Sequence, residues 1–440
     1  MHSRGGNLLT ITDAPEQAES AELAEWRERV RGWLEANAAR RRQKTEEELV
    51  ARVTATAETD DGDGVARSKA FQAKLYDAGF VGITWPVEYG GQGLTKRHQE
   101  IFNAEAAGYE LPTGIYTIGL GMVIPTVLEF GTEELKQRYI PKALRGEEVW
   151  SQLFSEPGAG SDVASLQMRA VLDGEEWVLN GQKVWTTGAQ YSEYGAVIAR
   201  TDPDAPKHKG ISMFVVDLKS PGVEIRPLRQ ITGGASFNEV FFTDVRVPAD
   251  HIVGERNDGW RCAIAMLMNE RVAIGAGGGA GASGGGNRLA GFNAMVKVAN
   301  DNGAIGDATI RQGLADVYIR QRIMGFIGLR IRAAAQAGLA PGPEGSIAKL
   351  SGAYLARISS DLGIAIAGAA GQAWDPDDEV GNRWAMTVLS APSSAIAGGT
   401  NEVQKNIIGE RVLALPKEPQ VDRDMPFKDL AVGTQGLPGT

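Results

Sequence analysis

Hydrophobic residues near the start of the chain repeat at helical spacing. From residue 21 they recur every three or four positions, which predicts an amphipathic helix. The apolar positions are Leu23, Trp26, Val30, Trp33 and Leu34. Similar periodicity continues to residue 148, apart from residues 85–93, whose Pro and Gly content predicts a loop. We therefore predict a helical domain over residues 21–148, preceded by a flexible N-terminus of residues 1–20.

Near residue 149 the pattern changes to short runs in which β-branched or aromatic residues alternate with polar ones. Asn180 and Gly181 separate two such runs. Because Asn-Gly readily adopts the positive φ angles of a tight turn, we predict a hairpin here. Further alternating runs cover residues 211–218, 223–228 and 239–247. The pattern predicts a compact antiparallel β-domain over residues 149–257.

Helical spacing returns at residue 258 and continues to residue 415, with long helices predicted over residues 310–337 and 347–367. Residues 416–440 contain Pro and Gly, and we predict a surface tail. An N-terminal helical domain, a middle β-domain and a C-terminal helical domain over residues 258–415 together define an α+β multidomain fold.

Composition limits the classes of partner and chemistry. The formal net charge is −10, which disfavours nucleic acid and anionic membranes as partners because both attract clustered cations. Cys262 is the single cysteine, and the four histidines lack ligand spacing, so we expect neither an internal disulfide nor a metal site. The sequence has no run of about 18 apolar residues and no secretory signal. We therefore expect a cytoplasmic protein without a membrane span.

Two segments of the β-domain carry candidate ligand-binding chemistry. Residues 154–162 read FSEPGAGSD, which is either a polar turn or a loop whose glycines let backbone N–H groups approach a flat or anionic ligand. Lys183, Trp185 and Thr187 fall on one strand face if the two-residue alternation is regular. A Trp in a β-domain is commonly a core residue. Beside a Thr it also provides the aromatic wall and hydroxyl donor that an isoalloxazine ring needs.

Four motifs resemble the acyl-CoA dehydrogenase family, in the same order and at similar separations. They are residues 154–162, the sequence NGQKVWTT at 180–187, residues 241–248, and the sequence GTNEVQ at 399–404. The resemblance covers nearly the whole chain after residue 20. It implies the family fold, bound FAD, and oxidation of an acyl-CoA thioester to a trans-2-enoyl-CoA. In that reaction a base takes the α-proton while the β-hydrogen leaves as hydride to flavin N5.

The resemblance also implies residue roles and partners. The implied flavin or thioester contacts are Gln152, Phe154, Ser155, Gly160 and Ser161, with Trp185 and Thr187 against the ring. The implied contacts to the adenosine side of FAD are Gly399, Thr400 and Glu402. The implied substrate contacts are Ser161, Met266, Leu267, Arg271 and Gly398. Expected partners are the acyl-CoA substrate, an electron-transferring flavoprotein, and further subunits in a homotetramer or a hetero-oligomer with a related chain.

The position of the catalytic base departs from the commonest family pattern. Many members carry a Glu directly before the Gly-Thr pair, where this chain has Gly398, which retains only a backbone N–H to polarise the thioester carbonyl. Members resembling the isovaleryl and long-chain enzymes instead carry the Glu before an Arg on a helix, as Glu270 and Arg271 do here. On a helix Glu270 shares its face with Met266, Leu267, Ala273 and Ile274. We interpret Glu270 as a base with a raised pKa, and the alternative is a structural buried acid or ion pair.

Two further departures concern subunit contacts and the acyl group. Many members hold a neighbouring subunit's FAD through an Arg-x-x-Phe-Gly segment, and here residues 310–316 resemble instead a bacterial subgroup that includes hetero-oligomeric sterol-degrading enzymes. Residues 275–286 hold eight glycines in twelve positions and match a dinucleotide fingerprint weakly, outside any βαβ unit. These glycines provide either flexibility and close helix packing or room for a bulky acyl group.

Two alternative functions stay open on the sequence. One is an oxidase of the same fold, in which oxygen reoxidises the flavin. The other is a non-catalytic partner subunit of a hetero-oligomer, which Gly398 and residues 310–316 favour and Glu270 disfavours.

Overall fold

The computed structural model describes residues 20–41, 62–275, 292–336, 342–373, 379–420 and 422–430. Helices precede and follow a central sheet, so the predicted order of a helical, a β and a second helical unit is confirmed. Among the described helices, none combines the length and the hydropathy that a membrane crossing requires. The glycine-rich residues 276–286 lie outside the described ranges.

The first helical unit contains α1 (Ala21–Asn37), α2 (Gly62–Asp77), α3 (Lys96–Ala106), α4 (Ile124–Phe130) and α5 (Glu133–Arg145). Its short strands β1 (Ala39–Arg40) and β2 (Tyr109–Glu110) pair antiparallel. The apolar face predicted for α1 is buried through Trp26, Val30 and Leu34. Thr132 caps α5 because its hydroxyl accepts a hydrogen bond from the Leu135 N–H at 3.3 Å.

The central unit is one eight-stranded sheet. Its strands are β3 (Trp150–Leu153), β4 (Arg169–Asp173), β5 (Glu176–Thr187), β6 (Tyr194–Arg200), β7 (Ile211–Asp217), β8 (Val223–Leu228), β9 (Phe237–Pro248) and β10 (Ile252–Val253). The order across the sheet is β10, β7, β6, β4, β5, β9, β8, and β3 pairs with β6. Pairing is antiparallel except where β3 and β4 meet β6 in parallel.

The predicted hairpin at Asn180 and Gly181 is wrong. Both residues lie inside β5, and the hairpin turn is the one that joins β4 to β5. Long-range pairing explains the difference, because β5 pairs with β9 on both sides of Gly181 and the register shifts there by one residue. A Cβ atom at Gly181 would approach Met168 Cα at 2.8 Å. The glycine therefore permits a close backbone crossing and an irregular strand, not a turn.

The second helical unit contains α6 (Gly259–Gly275), α7 (Phe292–Asp301), α8 (Ala308–Gln336), α9 (Glu344–Ala367), α10 (Ala369–Gln372), α11 (Glu379–Ser390) and α12 (Asn401–Ile407). The two long helices predicted from spacing correspond to α8 and α9. Residues 422–430 return to the sheet, where the Phe427 N–H donates to the Ala205 carbonyl at 3.0 Å. The Arg200 guanidinium lies 3.6 Å from the centre of the Phe427 ring.

Three hydrophobic cores organise the described residues. The first joins the N-terminal helices, one face of the sheet and the start of α6, and it includes Val30, Ile140, Ile198, Met213 and Ala263. The second lies on the other sheet face and includes Val197, Phe214 and Val240. The third lies among the C-terminal helices and includes Met295, Leu355 and Trp384. Both faces of β6 are therefore covered, which fixes the strands around it.

Candidate active site

The loop that follows β3 is fixed at its base and exposed at its tip. The Phe154 side chain is buried, and the Ser155 carbonyl accepts a hydrogen bond from the Val184 N–H of β5 at 2.9 Å. The backbones of Glu156 and Ala159 exchange two hydrogen bonds and close a tight turn. Gly160 and Ser161, beyond this turn, are exposed. The motif 154–162 therefore presents backbone and hydroxyl groups beside β5.

A buried ion pair lies beneath this loop. The Lys183 ammonium donates to Glu156 Oε1 at 2.8 Å and to the Phe154 carbonyl at 3.0 Å. The Glu156 carboxylate also accepts the backbone N–H groups of Gln167 at 2.6 Å and Met168 at 3.0 Å. Burial lowers the pKa of Lys183, and the attraction of Glu156 opposes that shift. Both partners are thus hydrogen-bonded, as buried charges must be.

Trp185 lies at a bulge in β5. Lys183 pairs with Val240 and Thr186 with Asn238, so two β5 residues oppose the single intervening residue of β9. Trp185 has φ 60°, and its side chain is 62% exposed. The regular alternation that we predicted fails here, because the bulge leaves Lys183 fully buried while Trp185 faces outward. The large aromatic ring is therefore displayed next to the loop instead of joining the core.

The groups around Trp185 match the requirements of a flavin. An isoalloxazine ring needs an aromatic or apolar wall and hydrogen-bond donors near its edge. The hydroxyls of Ser155, Ser161 and Thr187 form no hydrogen bond with another described residue, so all three are available to a ligand. Gln152 is half-buried in β3, where it pairs with Ala196 of β6. The donor set and the exposed ring together fit FAD.

Asp162, at the end of the motif 154–162, connects the loop to residue Lys207. Its carboxylate accepts hydrogen bonds from Lys207 and from Ser165, each at 2.5 Å. Partial burial alone would raise the pKa of Asp162, but these hydrogen bonds and the Lys207 charge outweigh it and lower the pKa. His208 follows Lys207 and packs its ring 4.9 Å from that of Trp260 in α6. The loop, residues 207–208 and the start of α6 are therefore contiguous.

Helix α6 carries the predicted base. Met266 is fully buried in the first core and Leu267 is half-buried, so α6 is fixed against the sheet one turn before Glu270. The backbone of Glu270 and Arg271 belongs to α6. The side chains of these two residues lie outside the described part of the structure.

The turn before α12 combines two glycines with a helix cap. Gly398 and Gly399 have φ angles of 67° and 91°, and Gln404 Nε2 donates to the Gly398 carbonyl at 2.8 Å. The Thr400 hydroxyl accepts a hydrogen bond from the Val403 N–H at 3.3 Å, which begins α12. Glu402 is exposed in the first turn of α12. A residue with a Cβ atom at position 398 would have to adopt a left-handed backbone, which favours glycine there.

Sequence reasoning missed the role of Glu156 and the orientation of Lys183. A strict two-residue alternation assigned Lys183 to the face of Trp185, because nothing local signals the bulge. One signal was available: a lysine directly followed by Val184 and Trp185 in a strand requires a carboxylate partner if it is buried. Its partner lies 27 residues earlier in the chain, so only the folded sheet reveals the pair.

Comparison with known proteins identifies the family of this chain. Sequence models of the acyl-CoA dehydrogenase N-terminal, middle and C-terminal domains match residues 20–147, 151–245 and 257–413. The acyl-CoA dehydrogenase IpdE1 of Mycobacterium tuberculosis is 37% identical over 403 residues, which cover 90% of this chain and 99% of that protein.

Solved structures give the same result. The structure named "Tcur3481-Tcur3483 steroid ACAD" is 31% identical, with a TM-score of 0.72 over 91% of this chain and 99% of that one. The ChsE4-ChsE5 complex from Mycobacterium tuberculosis is 29% identical, with a TM-score of 0.69 and the same coverage. The chain therefore belongs to the acyl-CoA dehydrogenase family and is an FAD-dependent oxidoreductase.

Proposed function

We propose that this chain catalyses α,β-dehydrogenation of a bulky, steroid-class acyl-CoA thioester to its trans-2-enoyl-CoA, with electrons passed to an electron-transferring flavoprotein. The observation that carries the proposal is the juxtaposition of the Ser155–Ser161 loop with the exposed Trp185 ring and the free Thr187 hydroxyl. These groups can hold a flat redox cofactor at the edge of the sheet. Helix α6, which packs against the same sheet, then supplies the proton acceptor.

Each residue has a distinct role in this mechanism. Bound FAD supplies the hydride acceptor for the β-hydrogen. Trp185 forms a wall for the ring, and Thr187 donates a hydrogen bond to its edge. Glu270 takes the α-proton on its carboxylate. The backbone N–H of Gly398 polarises the thioester carbonyl and thereby acidifies the α-carbon.

The remaining contacts divide between cofactor and substrate. Cofactor contacts are Gln152, Phe154, Ser155, Gly160, Ser161, Gly399, Thr400 and Glu402. Substrate contacts are Ser161, Leu267 and Arg271. Met266, which the family resemblance also implied as a substrate contact, has no exposed surface in the described structure and is therefore not proposed to border the acyl site directly.

The substrate class follows from similarity, not from a pocket. One solved structure similar to this chain over 91% of its length is named a steroid ACAD. This similarity supports a steroid-class acyl group. That the glycine-rich residues 275–286 make room for such a group stays a prediction from the sequence, because residues 276–286 lie outside the described ranges.

A second candidate is a subunit of a hetero-oligomer in which catalysis depends on a related partner chain. The observation that favours it is an apolar stripe on α8, whose side chains are between 48% and 54% exposed. The stripe consists of Tyr318, Ile319, Ile323, Phe326 and Leu329. Contiguous apolar surface of this kind marks a protein–protein interface. Co-expression with related chains encoded nearby, followed by mass measurement of the complex, tests this candidate.

The base assignment is tested with Glu270→Gln. This variant retains shape and hydrogen bonding but cannot accept a proton, so FAD binding should persist while flavin reduction by substrate falls by about two orders of magnitude or more. Anaerobic stopped-flow absorbance measures the reduction. Glu100→Gln, an exposed surface acid on α3, is the control and should reduce flavin like the unmodified enzyme. Near-normal reduction in Glu270→Gln would show that another group takes the proton.

The substrate and acceptor are tested separately. Acyl-CoA thioesters from short linear to steroid side-chain forms are compared by kcat/KM with an artificial electron acceptor. Preference for a short linear chain contradicts the steroid-class assignment but leaves the reaction class intact. Reoxidation of the reduced enzyme by dioxygen faster than by electron-transferring flavoprotein would identify an oxidase instead.

A further inference from the structure

The loop between Glu156 and Gln167 is held at both ends by Glu156. Glu156 Oε1 and Oε2 accept hydrogen bonds from the Met168 and Gln167 N–H groups at 3.0 and 2.6 Å, where the loop leads into β4. The Glu156 backbone holds the other end of the loop through its two hydrogen bonds with Ala159. Glu156 therefore fixes both ends of the segment that carries Gly160 and Ser161, one end through its backbone and the other through its carboxylate.

Lys183 connects this closed loop to the strand of Trp185. Its ammonium is fully buried and donates to the Glu156 carboxylate and to the Phe154 carbonyl. Lys183 is also the last β5 residue in regular register with β9 before the bulge, and Trp185 follows two positions later. A displacement of Lys183 would consequently move the loop and the bulge relative to each other.

A buried ion pair of this kind is a poor source of net stability. Removing two charges from water costs nearly as much as their attraction returns, and apolar replacements of the same volume are often equally stable. Unlike a surface pair, Lys183 and Glu156 have almost no contact with solvent. The two side chains form four hydrogen bonds, one with each other and three with backbone groups. The pair therefore fixes the positions of these backbone groups more than it adds to stability.

We propose that the Glu156–Lys183 pair is a positioning device that sets the spacing between the Ser155–Ser161 loop and the Trp185–Thr187 face, so that the flavin ring binds in one orientation. Neither residue touches the ring. Both residues act indirectly, by fixing the backbone of the loop and of the strand whose side chains contact the ring. The inference rests on the proposed assignment of that loop and face to the flavin.

The test compares two ion pairs of the same chemistry in the FAD-loaded protein. The variant Glu156→Gln/Lys183→Met removes both charges while preserving side-chain volume. The control is Glu193→Gln/Lys69→Met, because Lys69 and Glu193 also lie 2.8 Å apart and Glu193 also accepts a backbone N–H, that of Val149. This control pair joins α2 to the start of β6 and is not bonded to the loop.

Four measurements separate positioning from stability: the visible flavin spectrum, the Kd of FAD, hydrogen exchange over residues 157–166, and kcat against KM. In the Glu156/Lys183 variant we expect an altered flavin spectrum, faster exchange in the loop, and a fall in kcat of about tenfold or more with a smaller change in KM. The control variant should leave all four unchanged. Equal effects in both variants, or an unchanged flavin spectrum and kcat in the first, would overturn the proposal.

A charge-preserving variant covers the case in which the neutral pair does not fold. Glu156→Asp retains the ion pair but shortens the carboxylate's reach by one methylene, so it should fold and still alter the flavin spectrum and loop exchange. If it folds and behaves like the unmodified protein in both measurements, the proposal is wrong. Failure of the proposed substrate reaction is distinguishable, because an enzyme inactive on acyl-CoA would still show the spectral and exchange differences.

Discussion

Trp185 gives a stability prediction whose sign is unusual. It is a non-glycine residue at φ 60°, two residues before the end of β5. A left-handed backbone costs a residue with a Cβ atom about 1–2 kcal/mol, whereas glycine adopts it freely. In an ordinary strand the preference is opposite, since glycine is less stable than alanine by about 0.5–1 kcal/mol. At position 185 we therefore expect Trp185→Gly to be more stable than Trp185→Ala by about 0.5–1 kcal/mol.

The difference in stability between the Gly and Ala variants isolates the contribution of backbone strain at position 185. Both variants lose the same ring, which is largely exposed, together with any contact that the ring makes with the flavin, so these effects cancel in the difference. Val171 of β4 is the control because it is exposed and has ordinary strand geometry. There Val171→Gly should be less stable than Val171→Ala. The difference between the two sites should equal the strain, about 1–2 kcal/mol.

Urea unfolding at a fixed FAD concentration, followed by circular dichroism, measures the four variants. The result that refutes the reasoning is a glycine variant less stable than the alanine variant at position 185 by the same amount as at position 171. The bulge would then carry no backbone strain.

Two further predictions concern the C-terminal helices. Gly363→Ala should lower the free energy of unfolding by about 1–3 kcal/mol, since a Cβ atom there would collide with the Trp384 ring. Gly325→Ala is the control: the space around Gly325 is open, so this variant should stabilise α8 by about 0.5–1 kcal/mol. Thermal unfolding measures both variants, and equal shifts in Tm would contradict the packing of Gly363 against Trp384. Thr400→Ala should lower the free energy of unfolding by about 1 kcal/mol, because the Val403 N–H loses its hydrogen-bond acceptor. Thr400→Ser retains the hydroxyl and should therefore retain the stability. If the two variants unfold at the same denaturant concentration, the Thr400 hydroxyl does not stabilise α12.

Local spacing predicted much of the fold. The period of the apolar residues located α1, α8 and α9. In α8 the first turns bury Ile310, Leu314 and Val317, whereas the apolar stripe from Tyr318 to Leu329 is exposed. The alternation located β7, β8 and β9 to within two residues of their observed ends. The Asn180-Gly181 pair misled because turn chemistry is only a local preference, and pairing of β5 with β9 overrides it. The sequence pattern of one long strand with an irregular register is similar to the pattern of two short strands joined by a turn.

The candidate site could be predicted in part. The motifs located Ser155, Ser161, Trp185 and Thr187, and the structure brings the loop and the strand that carry them into direct hydrogen-bond contact. The bulge that reverses Lys183 could not be predicted, because it depends on which β9 residues oppose β5. Assignment of the base to Glu270 stays a prediction, since it rests on helical spacing and family resemblance.

The division of the hydrophobic cores has a consequence for assembly. The first turns of α6 are built into the core of the N-terminal helices and sheet through Cys262, Ala263 and Met266, whereas the C-terminal bundle has a core of its own. A rotation of that bundle as a body during association of subunits would preserve the packing inside it and would be accommodated at its contacts with the rest of the chain. The first turns of α6 would stay joined to the sheet that carries Trp185, because their buried residues belong to the other core.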